Sequence, residues 1–137
     1  MRFETTKDLK REYETMNFFC QKYNLDFKKL DENDVDFELQ KDGRIIGYVE
    51  IKGRNKTIKE AYPLPIACRK LVKLCDKKLN PVVIWACYDG LIIGKIEQLE
   101  GITKIGGRTP RKGSTNDIEL MTYFNKSEKF IEIFFKK

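Results

Sequence analysis

The stretch that decides the fold is DFELQKDGRIIGYVEIK, Asp36 to Lys52. Over 34–40 the residues Val35, Phe37 and Leu39 alternate with Asp34, Asp36, Glu38 and Gln40, the period of a half-buried strand. Lys41-Asp42-Gly43 follows, and Asp-Gly supplies the positive-φ preference of a hairpin turn. Residues 44–52 return as a second strand. One face is expected to carry Ile45, Gly47, Val49 and Ile51, the other Ile46, Tyr48, Glu50 and Lys52. With the two strands as antiparallel neighbours, Asp36 at the head of the first reaches Glu50 and Lys52 across the sheet.

That grouping suits one chemistry in particular. Phosphodiester hydrolysis needs a water deprotonated near neutral pH and a way to spread negative charge on phosphorus. Mg²⁺ or Mn²⁺ supplies both, and Mg²⁺ is usually held by one or two carboxylates plus waters and substrate oxygens. Asp36 and Glu50 are candidate metal ligands, the backbone carbonyl of Ile51 a third, and Lys52 a candidate to orient the water or offset transition-state charge. The chain contains no histidine. Ser-His and Cys-His nucleophile pairs, HExxH sites and histidine-based nucleases are therefore excluded.

Outward from the hairpin, residues 5–23 read as an amphipathic helix with Leu9, Tyr13, Met16, Cys20 and Tyr23 as its buried stripe. Glu12 borders that stripe, whereas Glu14 projects from the opposite side, so Glu12 is the acid this helix can lend to the site. Residues 25–30 suggest a short strand. Asp34 reads as a turn acid, and Glu38 as a surface strand residue. Pro63 and Pro65 suggest the start of a second helix over 64–79, with Leu64, Cys68, Leu71, Cys75 and Leu79 on its buried face. PVVIWACY, 81–88, is the apolar run of a strand covered on both faces, and 91–96 returns beside it after Asp89-Gly90. Residues 101–116 read as a long basic loop, and the tail 117–137 as one or two strands. Asp117 and Glu119 there read as an exposed strand edge.

Length and composition set the outer bounds. The chain has 137 residues, long enough for one domain with a core and short for two, so 1–137 is expected to be a single domain. Its net charge of +6 favours a polyanionic partner. The four cysteines form no CxxC pair, which argues against zinc and disulfides and for a reducing, cytoplasmic setting. No apolar run reaches the ~20 residues of a membrane span, and no signal peptide is recognisable.

The acid heading one strand and the Glu50-Ile51-Lys52 triplet closing the next resemble the PD-(D/E)XK nuclease superfamily. The chain order fits over roughly residues 5–96: a helix with an acid, the hairpin, a crossover helix, an apolar strand. The resemblance implies an α/β fold, a mixed central sheet flanked by helices with a restriction-endonuclease-like α-β-β-β-α-β core. It also places Asp36, Glu50 and Lys52 in the metal-binding and catalytic positions, with Glu12 as the helical glutamate some branches use. Val35 stands where the superfamily usually has proline, and the later helix lacks the glutamine of one branch. Small stand-alone members include phage endonucleases and junction resolvases, and by the same resemblance a homodimer is expected.

A nuclease must also hold a polyanion. Lys104, Arg108, Arg111 and Lys112 in the basic loop, with Arg54 and Lys56 just after Lys52, are the candidate DNA phosphate contacts. No base-reading motif accompanies them, so recognition of backbone or shape is expected. The expectation is a metal-dependent DNA endonuclease that is not sequence-specific; the alternative is an inactive nucleic-acid-binding module on the same fold.

Overall fold

A computed structural model describes residues 6–107 and 118–136. Helix α1 (Thr6–Tyr23) leads into β1 (Asp26–Lys29), β2 (Phe37–Lys41) and β3 (Arg44–Gly53), all three strands in one antiparallel meander. The turn between β2 and β3 has φ of 52° at Asp42 and 79° at Gly43. Both are positive, as the two-residue type I′ turn requires.

The hairpin carries one irregularity that the alternation did not reveal. Leu39 lies opposite Gly47, but Gln40 lies opposite Ile45, so Ile46 is an extra residue on β3. This bulge turns Ile46 onto the α1-side core and leaves Ile45 exposed, reversing the faces expected for that pair. Beyond the bulge the expected alternation holds. Val49 and Ile51 are buried on the α1 side, and Tyr48 packs on the opposite core.

The second helix is shorter than its sequence stripe. Leu64–Ala67 form a strand, β4, and the helix α2 spans Cys68–Cys75. Proline at 65 pushes Leu64 toward extended backbone. Leu64 and Ile66, two apart, are both buried, a strand period inside what read as a helix. The Pro65 carbonyl accepts a hydrogen bond from Trp85 Nε1 at 2.8 Å. Only Leu74 of α2 is buried, and Cys75 and Leu79 are exposed. The expected stripe of cysteines is thus not core.

After α2 come β5 (Pro81–Ala86), β6 (Gly90–Lys95), a 3₁₀ turn at Ile96–Gln98, β7 (Ile102–Gly107), β8 (Ile118–Phe124) and β9 (Ile131–Phe134). Among the described residues the strands form two sheets, in the orders β1-β2-β3-β5-β6-β9 and β4-β8-β7. The β3–β5 pairing is parallel and needs the crossover that β4 and α2 provide. The expected α-β-β-β-α-β core is present, with β4 inserted before the crossover helix. Residues 102–107, read as loop because of their glycines, are a strand because they pair with β8 from Ile102↔Tyr123 to Gly107↔Ile118.

β5 is buried along its whole length. Val82, Ile84 and Ala86 join the core beneath α1, while Val83, Trp85 and Cys87 join a second core with α2, β4 and Phe124. The expected two-sided burial is what makes the central strand so apolar. On α1 the buried positions are Glu12, Thr15, Met16, Phe19 and Cys20. Tyr13 and Tyr23, expected inside, lie at the rim, exposed by 43% and 39%. The helix is therefore rotated toward Glu12 relative to the sequence stripe.

Gly90 opens β6 where strands crowd. A methyl group there would meet the Ile133 carbonyl oxygen and come within 2.9 Å of Ile58 Cδ1 and Phe134 Cα. Backbone cannot yield as a side-chain tip can, so Gly90→Ala is expected to cost about 3 kcal/mol. A fall in the urea midpoint at unchanged m-value would show it.

Candidate active site

The β2–β3 register brings the acids together. Phe37 lies opposite Val49, so one residue further Asp36 stands opposite Glu50. Asp36 is almost fully buried, and its Oδ2 accepts a hydrogen bond from the Ile51 N–H at 2.8 Å. This bond clamps the head of β2 onto β3. A strand residue directs its N–H and C=O to the same side, so the Ile51 carbonyl also leaves β3 on the Asp36 side.

Glu50 is 2% exposed and pairs in register with Val83, on the α2 face of the sheet. Its Oε2 accepts a hydrogen bond from Lys70 Nζ of α2 at 3.2 Å. Asp36 is its acidic neighbour. Burial first, and then the negative charge of Asp36, push the Glu50 carboxyl up to about 7, against the pull of Lys70. Two carboxylates taken from water into contact cannot both stay ionised without a cation. Lys52, two residues on, shares the Glu50 face, lies in register with Trp85 and is half-buried.

Glu12 enters from α1. It is 8% exposed, and its Oε1 accepts a hydrogen bond from Lys29 Nζ at 3.0 Å. The same ammonium lies 3.7 Å from Asp36 Oδ1, so Lys29 links the helical acid to the strand acid. Lys29 and Lys70 were not singled out in the sequence. Lys29 could have been found by extending the β1–β2 register, where it lies opposite Phe37 beside Asp36. No local signal marks Lys70, because its position depends on how α2 docks.

The other candidates divide. Asp34 is the expected turn acid: its Oδ1 accepts from the Val35 N–H at 2.7 Å and pairs with Lys77. Although burial pushes its carboxyl up, the bonds from Lys77 and Val35 and the charge of Lys73 hold it below its ordinary value. Glu38, read as a surface residue, is buried and accepts from Gln40 Nε2 at 3.2 Å. The two-sided covering of β2 encloses it. Arg54 Nε donates to the Ala61 carbonyl at 2.9 Å, and Lys56 is exposed. Lys104 stands on β7, its Nζ 4.9 Å from the centre of the Tyr123 ring. Glu119 pairs with Arg69 at 2.9 Å. Arg108, Arg111, Lys112 and Asp117 lie outside the described residues.

Among the described residues no three or more His, Cys, Asp or Glu side chains cluster as a metal cage. Two carboxylates and a backbone carbonyl fit Mg²⁺ none the less, since it keeps most of its waters. A cation there would offset the negative charge that burial and Asp36 make costly on Glu50. The cysteines of the described structure are free, and burial pushes the Cys20 and Cys87 thiols up to about 11, which makes them poor ligands.

A mixed α/β sheet with Asp36 at the head of one strand and Glu50-x-Lys52 at the end of the next resembles the PD-(D/E)XK arrangement. The chain belongs to the family described as phage putative PDDEXK endonuclease, which matches residues 1–132. That description is of a nuclease, so the implied substrate is a nucleic acid and the implied reaction hydrolytic, in a superfamily that generally uses divalent metals. Neither the curated proteins nor the solved structures contain a match. No helix of the described residues is long and apolar enough to cross a membrane.

Proposed function

We propose that the chain is a Mg²⁺- or Mn²⁺-dependent DNA endonuclease acting as a single domain. The observation that carries this reading is the buried Asp36–Glu50 pair, two carboxyl groups facing each other across the hairpin beside a half-buried lysine. Burying two neighbouring acids is costly. The cost is understandable where a divalent cation offsets their charge.

In this reading Asp36, Glu50 and the Ile51 carbonyl hold the ion, which when bound lowers the pKa of a water and draws charge from the phosphate. Asp36 is oriented by the Ile51 N–H, Glu50 by Lys70. Lys52 orients the attacking water or offsets the charge gathering on the phosphate oxygens. Glu12 acts through Lys29, whose ammonium also balances Asp36. The water oxygen bonds to phosphorus as the ester oxygen leaves, with no covalent enzyme intermediate. Lys56, Lys104, Arg108, Arg111 and Lys112 are proposed backbone contacts, and Arg54 joins them with the guanidinium nitrogens that Ala61 does not engage. Nicking of supercoiled plasmid in Mg²⁺, lost on chelation and restored by Mn²⁺, is the expected result. Salt-sensitive DNA binding without nicking under any divalent metal would instead favour the inactive binding module.

A further inference from the structure

The carboxyl ends of β3 and β5 open into a cleft of about 330 Å³. Parallel strands commonly present their ligands at this end. The cleft is walled by α1 and by the residues at the ends of β3 and β5. Arg11 is the neighbour of Glu12 on α1, and Gly53 follows Lys52 on β3. Gly53 is needed for the arrangement, because the Arg11 guanidinium occupies the space a Cβ at 53 would fill. Arg11 Nη2 donates to Asn55 Oδ1 at 3.4 Å, which holds it over the strand end.

Arg54 lines the same cleft, its Nε anchored to the Ala61 carbonyl. One acid, Glu14, is also at the wall, exposed and 3.8 Å from Lys10. Tyr88, 68% exposed, lines the cleft as well. Its ring is in water, yet its backbone is fixed, since the Tyr88 N–H donates to the Lys56 carbonyl at 2.9 Å. The neighbouring Asp89 is held on both sides, by Ile58 N–H on its carboxylate and Phe135 N–H on its carbonyl. Phe135 packs edge-on against Phe18 with ring centres 4.9 Å apart, closing the apolar floor. A large aromatic face held out from a hydrogen-bonded turn, with guanidinium groups lining the same cleft, suits a base stacked on the ring and its phosphate on the arginines.

We infer that this cleft binds an unpaired nucleotide of the substrate strand. The inference rests on the nuclease reading and narrows it. A base in intact duplex is stacked on both faces and has none to offer Tyr88, whereas single strands, frayed ends and branch points do. The substrate class is therefore nucleic acid with unpaired residues, and blunt duplex is a poor substrate.

The test measures anisotropy of a fluorescein-labelled oligothymidine of about a dozen nucleotides, and of a blunt duplex, in chelator. Tyr88→Ala is expected to weaken the single strand about tenfold and leave the duplex unchanged. Arg11→Gln is expected to lower the salt slope for the single strand by about one. Unchanged melting temperature establishes that each variant is folded. Single-strand affinity unaffected by both changes, or equal losses for strand and duplex, would overturn the cleft. Thymidine monophosphate binding as tightly as the oligonucleotide would overturn the assignment to a strand. Cleavage by the wild type with Tyr88-independent binding removes the cleft alone. Tyr88-dependent binding without cleavage removes the nuclease reading alone.

Discussion

Glu50→Gln is expected to lower cleavage on the order of a thousandfold or more, while making the metal-free protein more stable at alkaline pH. The two effects share one cause. Burial and Asp36 raise the Glu50 carboxyl from an ordinary 4.5 to about 7. A carboxyl raised on folding binds more protons in the native than in the unfolded state. Its contribution therefore favours folding least at high pH: stability falls as pH rises from about 4.5 through about 7. The full penalty, present above that window, is at most about 3 kcal/mol. Glutamine carries no charge to lose, so the variant should gain roughly 1–2 kcal/mol at pH 8 and little at pH 5. Nicking assays and melting curves at the two pH values measure both halves. Cleavage within tenfold of wild type, or a stability gain that ignores pH, would sink the account. Lys52→Ala is expected to lose cleavage to a similar extent with DNA binding retained.

Magnesium should stabilise the wild type, and more strongly at pH 8 than at pH 6. Below about 7 the ion must first displace the proton on Glu50, so apparent affinity drops as pH falls. At a hundredfold excess over Kd the gain is about 2.7 kcal/mol, on the order of ten degrees in melting temperature. Calorimetry in buffers of different ionisation enthalpy should register proton release on binding near neutral pH. A magnesium shift that persists in Glu50→Gln and in Asp36→Asn would show that the ion binds somewhere else.

The hairpin and its chemistry were legible because they are local. Alternation at Val35, Phe37 and Leu39, the Asp42-Gly43 turn and Glu50-Ile51-Lys52 sit within a short span, and the turn chemistry fixes which strands pair. The apolar run at β5 was legible for the opposite reason: a strand covered on both faces has no polar alternation to show. What failed depended on distant partners. Residues 102–107 became a strand through β8, and Leu64–Ala67 through the same strand from its other side. The prolines at 63 and 65 were read as helix starters when Leu64 and Ile66 carried a strand period. Tyr13 and Tyr23 matched the helical spacing, but α1 turns by part of a turn to bury Glu12 against Lys29. The acids of the site were thus readable, and the lysines that hold them were not. Lys70 reaches Glu50 only because α2 packs across the crossover.

The parallel pairing of β3 with β5 has a consequence for how the protein is made. Asp36 and Glu50 meet through a hairpin closed by two residues, whereas Val83 pairs with Glu50 from 33 positions downstream. Local hairpins form within microseconds, and non-local parallel pairing comes later. During synthesis the two acids can therefore meet while still in water, where neither is desolvated. The burial that raises the Glu50 carboxyl arises only when β5 emerges and the crossover closes over them. A chain halted before Pro81 would hold every acid of the site without the buried environment that gives Glu50 its affinity for a cation.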